Sequence, residues 1–365
     1  MKFSIIRSKL LDALQTVQNV VSAKSTLQIL ANAMIKVEGD RLHLTTTDLD
    51  ITVKCSVEAE GEEPGGTTMP IRRLAGIVRE LPEGKITVDV SDEDVAEVRC
   101  GASFFKIIGL PMRDFPPVPV ADGKFCYLLD QGVFREMLRK TSYAASQDET
   151  RHVLNGVLLA FKDAKLTMVA TDGRRLALVE QEVEFPVEAE QELILPTKSV
   201  NELLHILKDE GNLKIYAHKN QVVFEFGHIM MSSKLVDGVY PNYRQVIPPG
   251  CDERVVLERE MLLTALRRVS LVTTDKSNST RLTFSANQLT ILTNTPDIGE
   301  ARETMPIKYA GKEITVTFNP EYVMDPLRNI DSDEITFEMN DGHSPALIKC
   351  SGMPFLYVLM PLRIG

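Results

Sequence analysis

The alternation of hydrophobic and polar positions predicts the same order of elements in each third of the 365-residue chain. A short strand comes first, and apolar residues at the spacing of an amphipathic helix follow it directly. The strand and helix pairs are Phe3–Ile6 with Leu10–Leu14, Tyr127–Leu129 with Val133–Met137, and Val255–Leu257 with Leu262–Leu266. The second and third pairs begin about 123 and 252 residues after the first. The chain therefore contains three tandem repeats of one domain of roughly 120 residues.

A second helix opens the second half of each third, so that every third is predicted to hold two strand–helix–strand–strand units. Pro70, Pro196 and Pro320 stand at the starts of these second helices, where proline has no N–H bond to lose. Gly39-Asp40 and Asp163-Ala164 are predicted hairpin turns. The fold class is therefore α+β, with antiparallel strands in three tandem domains. Segments rich in proline, glycine and charge place these domains at residues 1–122, 125–248 and 251–365.

Positive charge is concentrated in the predicted helices, although the whole chain carries a formal net charge of −10. Five of the six predicted helices are positive, and together the six carry +7, which leaves −17 for the strands and loops. If the helices share one surface, that surface attracts phosphate groups through counterion release. Base-reading motifs and tryptophan are absent, so such binding would be independent of sequence. The alternative for any single helix is a solvated face made of good helix formers.

Composition and missing motifs disfavour several other classes of protein. No apolar run reaches the roughly 20 residues of a membrane helix, and the first residues lack the apolar core of a signal peptide. The five cysteines are scattered and form no CxxC pair, so we expect free thiols and a cytoplasmic location. The motifs GxxxxGK, HExxH, GxSxG and GxGxxG are absent and the six histidines lie far apart. We therefore expect no catalytic residue, no cofactor and no metal.

The most distinctive sequence motif is Thr171-Asp172-Gly173-Arg174-Arg175-Leu176. It predicts the end of a strand and a turn in which Asp172 accepts backbone N–H groups while Gly173 takes a positive φ. The corresponding phrase of the first third, Thr47-Asp48-Leu49-Asp50, matches only in part. The additional Gly-Arg-Arg therefore indicates a surface used in the middle domain alone.

Phrases spread over the whole chain point to a known family. They are Lys2-Phe3, Thr26–Leu30, Asp114-Phe115-Pro116, Leu154-Asn155-Gly156, Ala170–Ala177, Ser233–Gly238 and Tyr357–Arg363. In this order they closely resemble the bacterial DNA polymerase III beta subunits, the sliding clamps. The resemblance implies three DNA-clamp domains per chain and a ring-shaped homodimer, with helices lining the hole and sheets outside. It also implies a processivity factor for DNA replication and repair that has no catalytic activity and encircles duplex DNA.

The resemblance also implies partners and the residues that meet them. Duplex DNA would pass through the hole, independently of its sequence. The candidate pore contacts are Lys24, Arg72, Arg79, Arg135, Arg139, Lys198 and Arg268. The implied protein partners are the polymerase alpha subunit, the clamp loader, other polymerases and repair proteins, which bind through short peptide motifs.

A groove for these peptides is implied between the second and third domains. Its residues would be Leu154, Thr171, Gly173, Arg174, Arg175, Leu176, Pro241, Val246, Pro345, Val358, Leu359, Met360, Pro361 and Leu362. Such a set forms an apolar slot with a polar rim, which suits hydrophobic peptide anchors. The chain departs from the family pattern at Gln245, where a second arginine is common, and in the final Ile364-Gly365. These departures would change rim preferences more than the groove itself.

The dimer contact implied by the family joins the edge of the first domain to the edge of the third. The candidate residues are Arg73, Phe105, Ile107, Leu271, Val272, Glu300 and Glu303. Alternation in Phe105-Lys106-Ile107 suits an edge strand that presents apolar side chains to a partner. The alternative is that Phe105 and Ile107 face their own core.

Two rival functions remain at this stage. One is an enzyme with an active site around Asp172, Arg174 and Arg175, and the other is a repeat scaffold that binds proteins but never DNA. A clamp must be a stable dimer and must leave DNA more slowly when the DNA is circular, whereas neither rival requires this.

Overall fold

The computed structural model describes residues 1–21, 27–118, 120, 125–274, 278–296, 298–352 and 354–363. Lys24 and the Ile364-Gly365 tail lie outside the described residues. Six α-helices lie in the described ranges; five of them follow a strand immediately, and the single residue Asn319 separates the sixth from its strand. No helix in these ranges is both long enough and apolar enough to cross a membrane.

The bounds of the elements follow the predicted repeat. The first third contains β1 (Lys2–Ile6), α1 (Arg7–Gln18), β2 (Asn32–Glu38), β3 (Arg41–Thr47), β4 (Ile51–Glu58), β5 (Glu60–Glu63), β6 (Gly65–Pro70), α2 (Ile71–Glu80), β7 (Lys85–Val90), β8 (Val95–Cys100) and β9 (Ser103–Ile108). The middle third contains β10 (Cys126–Asp130), α3 (Gln131–Thr141), β11 (Gly156–Lys162), β12 (Lys165–Thr171), β13 (Arg175–Glu182), β14 (Gln191–Pro196), α4 (Thr197–Ile206), β15 (Asn212–Ala217), β16 (Gln221–Phe226) and β17 (Ile229–Lys234). The last third contains β18 (Glu253–Glu258), α5 (Arg259–Val269), β19 (Thr280–Ser285), β20 (Gln288–Thr295), β21 (Gly299–Pro306), β22 (Ile314–Phe318), α6 (Pro320–Asn329), β23 (Glu334–Met339), β24 (Ala346–Lys349) and β25 (Phe355–Leu359).

Five of the six half-repeats are β-α-β-β-β units, with one strand more than the sequence pattern predicts, and the first half-repeat has a further short strand, β5. The additional strand is the last of each unit. Some of these strands, such as β21, have weak patterns because only part of the strand packs on a core. In β21 only Met305 is fully buried, so its sequence is mostly polar.

The prolines at the second helices occupy two different positions. Pro320 begins α6, as predicted, and the Asn319 side chain before it accepts the N–H of Glu321 at 2.9 Å. Pro70 and Pro196 instead end β6 and β14, one residue before their helices. Both strands are sheet edges, where a residue without an N–H leaves no partner unsatisfied.

One compact unit comprises residues 1–135 and 201–235. It contains a five-stranded sheet of order β5-β1-β7-β8-β9 and an eight-stranded sheet of order β10-β15-β16-β17-β4-β3-β2-β6. Strands of the first and middle thirds join in the second sheet, where β17 pairs antiparallel with β4. Helices α1 and α2 pack together and bury Leu14 and Val78 completely.

The other compact unit comprises residues 136–200 and 236–365. It contains an eight-stranded sheet of order β14-β11-β12-β13-β25-β24-β23-β18 and a four-stranded sheet of order β21-β20-β19-β22. Here β13 of the middle third pairs antiparallel with β25 of the last third. Within the residues that the structure describes, the five-stranded sheet has unpaired edges at β5 and β9, and the four-stranded sheet has unpaired edges at β21 and β22.

Candidate functional site

The turn between β12 and β13 is held by its own side chains. Asp172 Oδ1 accepts the backbone N–H groups of Arg174 and Arg175 at 2.8 and 3.0 Å. Thr171 Oγ1 accepts the N–H of Gly173 at 3.1 Å, and Gly173 has a φ of +85°. The predicted turn is therefore confirmed in both its hydrogen bonds and its positive φ.

The same turn occurs in the first third. Asp48 Oδ1 accepts the N–H groups of Asp50 and Ile51 at 3.0 and 2.8 Å. Leu49, with a φ of +78°, takes the place of glycine. The backbone turn is thus shared, and the position of Ile51 is occupied in the middle third by Arg175. The feature particular to the middle third is the arginine side chain.

Arg175 is the centre of a buried polar network, with 10% of its side chain exposed. Its guanidinium donates from Nε to Asp172 Oδ2 at 3.1 Å, from Nη1 to Asp325 Oδ2, and from Nη2 to the carbonyl of Tyr143 at 2.6 Å. It also lies over the Tyr322 ring, 4.3 Å from the centroid. Charged hydrogen bonds and an aromatic face therefore surround it. Arg175 ties β13 to α6.

Two of the predicted groove residues lie on the wrong face of the sheet. Arg175 is paired with Leu359 across β13 and β25, and Leu176 is paired with Val358. Because successive side chains of a strand point to opposite faces, Arg175 and Leu359 face away from Leu176 and Val358. Leu359 is fully buried and Arg175 binds α6. The assignment of these two side chains to the groove surface is therefore corrected.

The other predicted groove residues come together on one face of the eight-stranded sheet. Leu154, Leu176 and Val358 are buried in one apolar cluster, which Tyr240 and Tyr243 join. Val246 and Met360 are exposed, at 45% and 39%, and supply apolar surface to solvent. The remaining members are exposed or half-buried: Thr171, Gly173, Arg174, Pro241, Pro345, Pro361 and Leu362. The arrangement is an apolar surface on a well-packed floor.

The chain after β25 extends this surface. The N–H of Met360 donates to the carbonyl of Arg174 at 3.0 Å, and the N–H of Leu362 donates to the carbonyl of Thr317 at 2.8 Å. The first bond holds Met360 beside the turn of β12 and β13, and the second holds Leu362 beside β22. The side chains of Met360 and Leu362 are therefore positioned by backbone bonds and not by a loose tail.

Several predicted pore cations are already neutralised. Arg135 binds Asp209 at 2.6 Å, and Arg139 binds both Glu136 and Asp331. By contrast, Arg79 is exposed on α2 and has no ion-pair partner in the described ranges. Arg72 is exposed and donates to the Val21 carbonyl at 2.8 Å, while Lys198 is exposed on the first turn of α4.

Arg268 was predicted for the pore and Glu303 for the dimer contact, but the structure places them together. The guanidinium donates to both carboxylate oxygens, from Nε at 2.8 Å and from Nη2 at 2.9 Å. The bond raises the pKa of Arg268 and lowers the pKa of Glu303. Both groups are close to solvent, so this pair adds little stability.

Several of the predicted dimer residues lie on or near the open edges. Leu271 is 82% exposed in a short turn, residues 270–272, that packs against β20 and β21. Phe105 is 37% exposed on β9, whereas Ile107 is only 4% exposed. Ile107 pairs with the buried Ala96 and faces its own core, as in the alternative interpretation. The remaining members, Arg73, Val272, Glu300 and Glu303, are exposed or half-buried.

Sequence reasoning missed the other face of β9. Phe104 is 49% exposed and Ile108 is 75% exposed, and the Arg99 guanidinium lies 4.6 Å from the centre of the Phe104 ring. The signal was present, because a strand with apolar residues in both phases has two apolar faces. Only one of these faces packs on the core of this sheet, so the other face, with Phe104 and Ile108, is exposed.

No group of three or more His, Cys, Asp or Glu side chains is placed to hold a metal ion in the part of the chain that the structure describes. All five cysteines are free thiols. Burial raises the pKa of Cys55 and of Cys350 to about 11. These two thiols therefore remain protonated at neutral pH.

Three family models match the chain in succession. The N-terminal domain of the DNA polymerase III beta subunit matches residues 1–119, its central domain matches 128–242, and its C-terminal domain matches 244–363. The beta sliding clamp of Pseudomonas putida is 35% identical over 367 residues, and that of Chlamydia muridarum is 31% identical over 364. These alignments cover all of this chain and 100% and 99% of the relatives. A crystal structure of the Pseudomonas aeruginosa sliding clamp bound to griselimycin has a TM-score of 0.95 at 34% identity, with both chains covered completely.

The repeated units, their sheets and these matches define a DNA clamp. The chain belongs to the family of bacterial DNA polymerase III beta subunits, the beta sliding clamps. Membership confirms the predicted fold class and the predicted function in DNA replication. The family consists of homodimeric processivity factors, not enzymes, that encircle DNA and bind the polymerase and other partners. The enzyme and the scaffold without DNA are therefore excluded.

Proposed function

We propose that two copies of this chain close around duplex DNA by pairing β9 of each copy with β21 of the other. The open edges of the two smaller sheets carry this proposal. Unpaired strand edges expose N–H and C=O groups that a partner strand satisfies. Phe104 and Ile108 beside one edge, and Leu271 beside the other, add apolar surface of the kind that interfaces bury. The carboxylate of Glu300 on β21 and the ammonium group of Lys106 on β9 have complementary charges.

We propose that DNA contact falls mainly to cations that have no carboxylate partner. Arg72 and Arg79 on α2 meet this condition, whereas Arg135, Arg139 and Arg268 have carboxylate partners. Contact of this kind holds phosphates without reading bases, so the ring remains free to slide. Processivity then follows from encirclement and does not require high affinity.

Replacing Arg79 with glutamine is expected to flatten the salt dependence of binding to linear duplex DNA. The logarithm of the association constant falls linearly with the logarithm of the salt concentration, and each lost phosphate contact makes this slope shallower by about 0.9. Arg281→Gln, at an exposed arginine on β19, is the matched control and should leave the slope unchanged. Fluorescence anisotropy over a salt series measures both. Equal slopes for the wild type and Arg79→Gln would exclude Arg79 from the DNA surface.

We propose that partner peptides bind the surface formed by Leu176, Val358, Val246, Met360 and their neighbours. This proposal is supported by the combination of a buried apolar floor with exposed apolar side chains at its edge. Interfaces of this form bind one or two anchor side chains tightly. We also propose the domain limits 1–122, 125–248 and 251–365 and a cytoplasmic location. The three family matches support three successive domains, although the C-terminal match begins at residue 244, inside the proposed middle domain.

Replacing both Met360 and Leu362 with alanine is expected to weaken peptide binding at least about tenfold. The change removes apolar contacts and leaves the backbone bonds of both residues in place. Isothermal titration with a short peptide carrying adjacent Leu and Phe measures the affinity, and gel filtration should show an intact dimer. Val187→Ala, at an exposed site elsewhere, is the control. Unchanged affinity in the double variant would refute the groove assignment.

A further inference from the structure

A second cavity lies on the same sheet face as the groove. Its volume is about 520 Å³, within the range of small ligand sites. It is lined by Leu178, Glu180, Tyr243, Arg244, Ile247, Pro248, Pro249, Lys349, Pro354, Phe355 and Leu356. None of these residues belongs to the groove set that the family resemblance implies, so the cavity is a separate feature of this sheet face.

The cavity continues the floor of the groove along the same two strands. In the groove, Leu176 of β13 pairs with Val358 of β25. In the cavity, Leu178 pairs with Leu356, two residues further along each strand and on the same face. Two strand residues span about 6.7 Å. An extended peptide anchored on Leu176 and Val358 therefore reaches the cavity with the side chain two residues from its anchor.

The two sites also share one covering segment. A 3₁₀ turn, Tyr243–Val246, supplies the exposed Val246 to the groove and Tyr243 and Arg244 to the cavity. Tyr243 is only 6% exposed and packs into the apolar cluster under the groove. The turn is closed by the N–H of Ile247, which donates to the Arg244 carbonyl at 3.4 Å. The wall between groove and cavity is thus anchored in the same core.

The charges at the cavity leave one cation unmatched. Glu180 is 3.5 Å from Lys165, and Lys349 is 2.7 Å from Glu338, so both are neutralised within the chain. Arg244 is exposed and stacks on the Tyr243 ring at 4.8 Å. No carboxylate in the described ranges lies within ion-pair distance of its guanidinium. The cavity therefore combines an apolar floor with a free positive charge at its rim.

We propose that this cavity binds the flank of partner peptides and selects an acidic residue two positions from the apolar anchor. The acidic side chain pairs with Arg244, and its methylene groups lie against Leu178 and Ile247. This inference rests on the proposed peptide groove and extends it. In this proposal the groove binds the apolar anchor of every partner peptide. Arg244 determines which of these peptides bind more tightly.

Competing short peptides test the proposal. Each carries adjacent Leu and Phe anchors and a fluorescein label, with Glu, Ala or Lys two residues before or after the anchors. For one of the two placements, the Glu peptide should bind the full-length wild-type dimer at least about threefold more tightly than the Lys peptide. Arg244→Glu should reverse that preference. Arg281→Glu, at an exposed arginine on the four-stranded sheet, should leave it unchanged.

The outcomes separate the cavity from the groove. If the peptides bind the wild type and the double variant Met360→Ala, Leu362→Ala does not bind them, the proposed peptide groove is supported. Equal affinities for Glu and Lys peptides in both placements, or a preference that survives Arg244→Glu, then overturn the cavity proposal alone. If no peptide binds the wild type, both proposals fall. Arg244→Gln, which removes the charge without reversing it, should equalise the peptides and guards against a folding defect.

Discussion

Each of the single substitutions Ile108→Asp and Leu271→Asp should convert the dimer into monomers at micromolar concentration. Ile108 and Leu271 are 75% and 82% exposed in the single chain, beside the β9 and β21 edges. Burial of such a side chain contributes about 2 kcal/mol, and a ring contains each contact twice. The loss is therefore about 4 kcal/mol, or roughly a thousandfold in the dissociation constant. Analytical ultracentrifugation measures the mass.

Mixing the two monomeric variants tests the head-to-tail pairing. The Ile108→Asp chain retains an intact β21 edge, and the Leu271→Asp chain retains an intact β9 edge. An equimolar mixture should therefore form dimers joined through one intact ladder, whereas each variant alone should not. Val187→Asp, which changes a 77% exposed side chain elsewhere, should remain dimeric. A mixture that stays monomeric would contradict the pairing of β9 with β21.

Replacing Arg175 with methionine should lower the free energy of unfolding by about 3 kcal/mol. The change removes the cation between Asp172 and Asp325. Asp325 keeps Arg328 at 3.3 Å, but Asp172, which is 13% exposed, loses its ion-pair partner. Removing one partner of a buried ion pair leaves an uncompensated charge, which costs more than the pair contributed. Chemical denaturation followed by circular dichroism measures the change. Peptide affinity should fall only as far as the β12–β13 turn is disturbed.

Two variants serve as controls for Arg175. Arg174→Met changes the exposed neighbour and should alter stability by less than about 0.5 kcal/mol. Adding Asp325→Asn to Arg175→Met should recover part of the loss, because it removes one of the two carboxylate charges that Arg175 binds. If Arg175→Met and Arg174→Met were equally stable, the network would not contribute as its geometry indicates.

The sequence pattern predicted the repeated order of strands and helices because core-facing residues alternate in each copy. The predicted units held one strand too few, since a strand such as β21 buries little of its surface, although the alternation in Phe105-Lys106-Ile107 did predict an edge strand at β9. The phase of a strand was also misjudged: Arg175 and Leu359 belong to phrases of the groove, but their side chains point to the opposite face. Pairs such as Arg268 with Glu303 depend on how distant elements pack, and no local spacing reveals them.

The unpaired β9 and β21 edges have a consequence for assembly. If the two edges pair as proposed, copies of the chain form a closed ring when the rotation between them closes, and a growing filament when it does not. Once one ladder between two copies has formed, the second is an intramolecular event at high effective concentration, which favours closure. One ladder can then part while the other still joins the two chains. An opened clamp is therefore still a dimer, ready to close again.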